Sequence, residues 1–398
     1  MLLKRCLAAL LVAAVAFTAL MLLKPPKANA IPAFARRYKI SCTTCHAPFP
    51  KLKDFGEEFA GNGFYIPEEE KERDYVTAGD DLLWLPRKFP LAIRFDAYGV
   101  YDEGMTAETD LQIPWGIKIL SGGSVYKNIG YYFYFYLSER GEVSGIEDAY
   151  IHFNDIGGVP FDIMVGQFQT SDPLMKRELR LTFEDYMIYT TRIGYSSINL
   201  TYDRGVMLTY GIARTGTDLF GMVVNGNGKP AADDEMKKFD SDEYKDWALR
   251  LYQAVGGYGA IGGYYYSGKE AAEVDDETIT NGVTYWGVDF NTAGGPFELT
   301  FQYLFRKDTD PIAQEEAQNI ETNGVVAELV CARDRMMSRN YLTLLYNNVN
   351  SQLNTLDYET LTASYTYLLS RNVRLTAEWT NSFIDHKNRV VLGIVTGF

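Results

Sequence analysis

From Phe89 to the C-terminus, apolar and polar residues alternate with period two, segment after segment. Phe297, Leu299, Phe301, Tyr303 and Phe305 interleave with Glu298, Thr300, Gln302, Leu304 and Arg306. Leu361, Ala363, Tyr365, Tyr367 and Leu369 interleave with Thr360, Thr362, Ser364, Thr366 and Leu368, and Val373, Leu375, Ala377 and Trp379 with Arg374, Thr376, Glu378 and Thr380. Successive side chains of a strand point to opposite faces, so each segment predicts a strand with one greasy and one mostly polar face. About sixteen such segments begin near residues 90, 111, 128, 146, 160, 198, 217, 245, 258, 281, 296, 322, 336, 356, 371 and 389. The second contains Pro114, and Asp203-Arg204-Gly205 in the sixth also reads as a turn.

The connections alternate in length. Gly256-Gly257, Ala293-Gly294-Gly295 and Ser370-Arg371 are tight, whereas Asn227 to Glu243, Ser267 to Asn281 and Lys307 to Glu321 are long and acidic. Short turns on one side and long loops on the other are the rhythm of a transmembrane barrel. An even strand number puts both barrel ends on the short-turn, periplasmic side. Val390, Leu392, Ile394 and the terminal Phe398 share one face, which resembles the C-terminal signature of bacterial outer-membrane proteins. The 29 tyrosines suit the girdles at a membrane interface. A soluble β-sandwich also buries an apolar face, but it needs neither outward aromatics nor a fixed loop rhythm. The expected fold is therefore all-β: a barrel of about sixteen antiparallel strands over residues 87–398, in the outer membrane.

The beginning of the chain is different. Residues 1–30 have the form of a signal peptide: Lys4 and Arg5, an apolar run from Cys6 to Leu23, and Ala28-Asn29-Ala30 as a small-residue cleavage site. The apolar run is long, which leaves an uncleaved anchor as an alternative. The formal charge is −14, and loss of the four leader lysines and arginines makes it −18. Such a charge excludes nucleic acid, which needs a basic face. Cys6 leaves with the leader, Cys42 and Cys45 are close together and Cys331 is alone, so a disulfide scaffold is not expected. Cys331 follows Val325, Ala327 and Leu329 on the lipid side and reads as a small apolar residue.

Residues 31–86 form a separate region. Pro50 to Phe59 has the signals of a short helix, with Pro50 at its first position, Leu52, Phe55 and Phe59 on one face, and Gly61-Asn62-Gly63 as the stop. About 55 residues do not readily build an independent core. The region needs a prosthetic group, a partner surface, or both.

The stretch Ile40 to His46, ISCTTCH, contains a C-x-x-C-H motif. This is the spacing of c-type haem attachment. Cys42 and Cys45 reach one edge of the porphyrin as thioethers, and His46 is placed under the iron as proximal ligand. A C-x-x-C disulfide or half of a zinc site are the alternatives. The distal ligand is less plain, because no Met lies between Ala30 and Met105. His152 and Met164 both alternate with apolar neighbours, face the lumen, and flank a tight turn, which makes them near cross-strand neighbours and candidates. The alternative is that both are ordinary lumen residues. His386 falls in a loop and is expected to be solvated.

These residues resemble a family. IPAFARRYKISCTTCHAPFPKLKDFGEEFAGNGF, Ile31 to Phe64, is similar to the N-terminal haem segment of fused cytochrome–porins. The pattern is PxFARxY–CxxCH–FPxLxxFGxxFxxxGF. In that family a very small monohaem cytochrome c precedes an outer-membrane barrel of about sixteen strands, and the best-known members oxidise ferrous iron outside the cell and pass electrons inward. The resemblance implies one haem c on Cys42, Cys45 and His46. It gives no distal ligand, since the matching Met is missing.

The lumen-facing positions include Arg94, Lys118, Arg250, Arg306 and Arg374 with Asp289, Glu298, Glu328 and Glu378, a mixed charge without clean ion selectivity. The loop carboxylates Asp233-Asp234-Glu235, Asp240 to Glu243, Glu273 to Glu277 and Glu315-Glu316 would attract cations such as Fe(II), or simply be solvated. The apolar band of a barrel is about 25 Å tall, so a haem at the periplasmic mouth is far from an external donor unless it plugs the lumen or the donor enters. The expected function is a one-electron iron:cytochrome c oxidoreductase, taking electrons from extracellular Fe(II) and giving them to a periplasmic cytochrome. Outward electron transfer, or a diffusion porin with a haem-bearing plug or sensor, are the alternatives.

Overall fold

The computed structural model describes residues 33–64, 66, 75–87, 89–171, 174–233, 237–240, 242–274, 277–312, 318–335 and 337–398. The leader, Asp234-Glu235 and Glu315-Glu316 lie outside them. Three short helices come first: α1 (Ala33–Tyr38), α2 (Cys42–Cys45) and α3 (Asp54–Gly61). A small hairpin of β1 (Tyr75–Val76) and β2 (Leu85–Pro86) follows.

The barrel strands are β3 (Leu91–Asp102), β4 (Thr109–Tyr126), β5 (Ile129–Glu139), β6 (Gly145–Phe153), β7 (Phe161–Gln169), β8 (Tyr202–Ile212), β9 (Thr217–Val224) and β10 (Asp246–Ala254). They continue as β11 (Gly259–Val274), β12 (Glu277–Gly294), β13 (Phe297–Asp308), β14 (Ile320–Cys331), β15 (Asn340–Ser351), β16 (Tyr358–Ser370), β17 (Val373–Ser382) and β18 (Asn388–Gly397). Each pairs antiparallel with its neighbour in sequence, and β18 closes on β3. Every strand begins within four residues of its expected position. Closure removes the unpaired edges that an open sheet would expose.

Alternation sets the two faces. On β18, Val390, Leu392 and Ile394 are exposed on the outside while Val391 and Val395 are fully buried inside. Trp247, Leu249, Leu251, Trp286, Val288 and Trp379 continue the outer apolar band. Cys331 pairs with Phe297 and Leu342, both exposed, as its apolar position predicts. β4 runs through Pro114, with a register shift opposite Asp96 to Tyr98, and Asp203-Arg204-Gly205 belong to β8.

Three expectations are corrected. The long loop from Ser267 to Asn281 is mostly hairpin, because β11 and β12 stay paired from Ser267↔Thr284 to Val274↔Glu277. Within it Glu270 is buried against Ser197 and Asn281. The helix expected from Pro50 begins instead at Asp54. The Ala47 N–H donates to the Lys51 carbonyl and the Lys53 N–H to the Cys45 carbonyl, which bends Pro50 to Lys53 into a loop around His46. The charged positions expected in the lumen do face inward, but they do not line an open channel. The lumen is packed like a core: Tyr285, Leu304, Leu345, Val391 and Thr362 of the inner wall are all fully buried. Two pieces of chain fill it, the N-terminal helical segment at one mouth and residues 170–201 further in.

Candidate cofactor site in the barrel mouth

The motif residues are held by local hydrogen bonds. The Ser41 Oγ caps α2 by accepting from the Thr43 N–H at 3.3 Å, and the His46 N–H donates to the Cys42 carbonyl at 2.9 Å. Cys42 and Cys45 are therefore three apart on one helical turn, with both thiols free and partly exposed on the same side. Burial pushes both thiols up, Cys45 to about 11.

His46 Nδ1 lies 2.8 Å from the carbonyl oxygen of Pro50. A carbonyl only accepts, so Nδ1 carries the proton and Nε2 keeps its lone pair. Burial lowers the imidazole pKa further, against the opposing hydrogen bonds to Pro50 and Lys51, and keeps the ring neutral. A neutral imidazole oriented through Nδ1–H is what a metal-ligating histidine requires. The residues present thus fit a c-type haem: two adjacent thiols and one tautomer-fixed imidazole. The Gly56 in α3 has a plain cause as well. A Cβ there would stand 2.3 Å from the Cys45 carbonyl oxygen, so only glycine lets α3 press against α2. Phe34, Tyr38, Phe59 and Phe64 make the remaining contacts of this tiny unit, with Phe34 stacked on Phe64 at 4.8 Å.

The segment's core is completed by the barrel. Phe64 stacks on Tyr132 of β5 at 4.5 Å. Gly63, at φ +66°, lies against Gly130 of β5, where a Cβ would meet the Gly63 carbonyl at 2.4 Å. The Asn154 side-chain amide donates to the Asn62 carbonyl at 2.7 Å. Across the mouth, Lys51 Nζ sits between Glu298 at 2.8 Å and Glu328 at 3.1 Å. Burial would lower the Lys51 pKa, but these two carboxylates raise it well above the ordinary value. Phe49 packs against the buried cluster that contains Tyr98, Trp115, Tyr136 and Val395. Tyr132, Gly130, Asn154 and Glu298 lie at the strand ends beside the short turns, on the rim that carries the barrel's two ends.

The distal candidates have a mixed outcome. His152 and Met164 are direct register partners on β6 and β7, and His152 is buried on the lumen side, as their alternation predicts. His152, however, lies beside Gly63. His46 belongs to the loop anchored on β13 and β14 through Lys51, and β14 is diametrically opposite β6 in the sixteen-strand ring. The structure pairs His152 with Met164, and the anchors of the His46 loop lie on the opposite side of the ring. His386 is exposed in the turn between β17 and β18.

Residues 170–171 and 174–197, between β7 and β8, are the part that sequence reasoning left unassigned, and the strand expected near 198 begins at Tyr202. This inner segment includes the short helix α4 (Met187–Thr190). The wall holds it with the charges expected to line a channel. Glu378 accepts the Phe183 and Glu184 N–H groups at 2.7 and 2.9 Å. Arg306, paired with Asp308 at 2.7 Å, donates to the Ile198 carbonyl and the Ser196 hydroxyl, each at 2.8 Å. Lys118 and Tyr134 both reach Glu178, at 3.2 and 2.9 Å. Burial alone would raise the Glu178 carboxyl, but Lys118, Arg180, Arg177 and Arg94 hold it well below the usual carboxylate range. Glu328 joins both fillings, since it accepts from Lys51 and, at 2.9 Å, from the Tyr186 hydroxyl. Arg250 pairs with Asp289 on the wall itself. Among the loop carboxylates, Asp240 pairs with Lys245, and Asp242 accepts the Tyr244 and Ala271 N–H groups, so part of that acidity is structural.

Neither a protein-family model nor a curated relative matches the sequence. Solved structures do match. The chain is similar to a loop-L8 deletion mutant of OmpT, an outer membrane protein of Vibrio cholerae, at 12% identity and TM-score 0.54, over 78% of this chain and 99% of that one. It is similar to the outer membrane channel DcaP of Acinetobacter baumannii at 15% identity and TM-score 0.53, over 78% and 97%. An anion-selective porin from Comamonas acidovorans matches at 10% identity and TM-score 0.54, over 78% and 99%. At these identities the likeness is one of fold: the chain is a closed sixteen-stranded barrel of the porin kind.

Proposed function

We propose that this barrel sits in an outer membrane and carries electrons rather than solutes, as a fused cytochrome–porin with one haem c on Cys42 and Cys45 and with His46 as proximal ligand. The observation that carries the reading is His46: a half-buried, neutral imidazole whose Nδ1–H is committed to the Pro50 carbonyl, so that Nε2 carries the lone pair, one residue after two free thiols. Bound haem supplies one-electron exchange between its ferrous and ferric states. The chain's part is to fix the imidazole, hold the thiols at one spacing and place the unit inside the mouth, where Lys51, Phe64 and Asn62 dock it.

The packed lumen argues against free diffusion of solutes through the barrel. Two segments, joined through Glu328, fill the space that a diffusion porin leaves open. The outer apolar band and the aromatic residues on it support the membrane placement. The donor in this reading is extracellular Fe(II), and the acceptor is a periplasmic cytochrome that meets the haem at the plugged mouth.

The test is visible spectroscopy of anaerobic cells carrying the protein, before and after addition of external Fe(II), beside a His46→Ala strain. A reduced c-type α-band that appears with iron and needs His46 supports inward electron flow. A haem that is attached but stays oxidised would favour the outward direction. A chain that matures without haem in a competent host would end the cytochrome reading.

A further inference from the structure

The lumen contains a second polar pocket, apart from the cysteines and His46. It lies between the inner segment and the wall of β3, β4 and β17. Its charged lining is Arg94, Lys118 and Arg374 from the wall, Arg180 from the inner segment, and the carboxylates Asp96 and Glu178. Tyr98, Trp115 and Phe183 close it with their rings, Tyr98 and Phe183 at 4.9 Å. The free centre admits about one water-sized sphere.

The charges do not balance. Arg94 is paired with Asp96 at 2.8 Å, and Lys118 with Glu178 at 3.2 Å. Arg180 reaches a carboxylate only at 4.0 Å, on an Asp185 already gripped by Arg177. Arg374 is 2% exposed, its Nη1 makes one long hydrogen bond of 3.4 Å to the Leu181 carbonyl, and its Nε has no hydrogen-bond partner among the described residues. A buried guanidinium with an unused N–H, beside a second one poorly paired, is costly unless something negative completes it. Water can take the N–H but leaves the charge.

We propose that this pocket binds one small inorganic anion of the halide class, held by Arg374 and Arg180, which ties the inner segment to the barrel wall. The size of the cavity excludes phosphate, sulfate and carboxylates of metabolites, and the excess of cationic over carboxylate groups in its lining, four against two, excludes cations. The anion is a structural counter-ion: it joins an arginine of the segment to an arginine of the wall, which would otherwise repel.

The test uses the full folded chain in detergent. Heat unfolding is followed while chloride replaces gluconate at constant ionic strength. The midpoint is expected to rise with chloride and to saturate as for one site. Arg374→Gln is expected to raise the half-saturating chloride about tenfold or more, the loss of one charged hydrogen bond. Arg214→Gln, at an exposed turn, leaves it unchanged. If Arg374→Gln does not fold, wild-type crystals soaked in bromide decide: an anomalous peak beside Arg374 Nε supports the site. A midpoint that ignores chloride, or bromide absent from the pocket, overturns it.

Discussion

Lys51→Met isolates the contact that holds the N-terminal segment in the mouth. In the native protein the ammonium lies between Glu298 and Glu328, whose side chains are 28% and 2% exposed. The substitution preserves the apolar stem and removes the charge, so Glu328 keeps only the Tyr186 hydroxyl. Breaking a fully buried pair costs about 3–5 kcal/mol, and an exposed one about 0–1. Here one carboxylate is buried and the other is reached by water, which places the cost between these limits, at about 2–3 kcal/mol. That is a change of about 30- to 150-fold in the ratio of undocked to docked segment. Undocking frees residues 33–64 while the inner segment still fills the lumen, so the assay is hydrogen exchange at the amides of α3 in the folded barrel. Exchange there is expected to speed up by that factor. Adding Glu328→Gln removes the stranded charge, and the double variant is expected to return to within about fivefold of the parent. If exchange in α3 of Lys51→Met is no more than about twice as fast as in the parent, the segment is not held by this pair and the docking argument fails.

Three further outcomes follow from the same geometry. Gly56→Ala puts a Cβ 2.3 Å from the Cys45 carbonyl oxygen, an overpacking cost of about 1–3 kcal/mol; haem-stained protein should fall several-fold while heat-modifiable mobility of the barrel on gels stays unchanged. Burial raises the Asp185 carboxyl, but Arg180 and Arg177 bring it down to about 2. Its folded value is depressed, so its contribution of about 2 kcal/mol is complete above about pH 4 and is lost as pH falls through about 2; acid titration of lumen closure should show that step, and Asp185→Asn should lack it. Glu378→Gln leaves the Phe183 and Glu184 N–H groups with one weaker acceptor, and hydrogen exchange at these two amides should speed up at least about tenfold.

The barrel was legible because its signal is local and repeated. Each strand carries its own period-two pattern, and sixteen of them leave little freedom in count or order. ISCTTCH was legible for the same reason, since its spacing is set within one helical turn. The inner segment was not. Residues 170–201 have no sustained period, and their conformation comes from distant partners such as Glu378, Arg306 and Asn347. The hairpin beyond Ser267 was misread because charge suggested a loop, although pairing with residues 277–284 continues the ladder. The pairing of His152 with Met164 could be read from one turn. Their distance from His46 could not, because it depends on how a separate segment is turned when it docks.

That docking also explains why a segment of this size belongs with a barrel at all. Residues 33–64 have one small aromatic cluster, too little for independent stability. A sixteen-stranded ring has the opposite problem, a lumen too wide for its own side chains to fill. Phe64 on Tyr132, Gly63 on Gly130 and Lys51 on Glu328 solve both at once: the segment takes the barrel wall as its missing core, and the barrel takes the segment as its stopper. The wall charges that would have lined a water-filled pore become anchors for the chain that closes it. A substitution in the mouth is therefore expected to act on the segment and the lumen together, and one on the lipid-facing side of the barrel on neither.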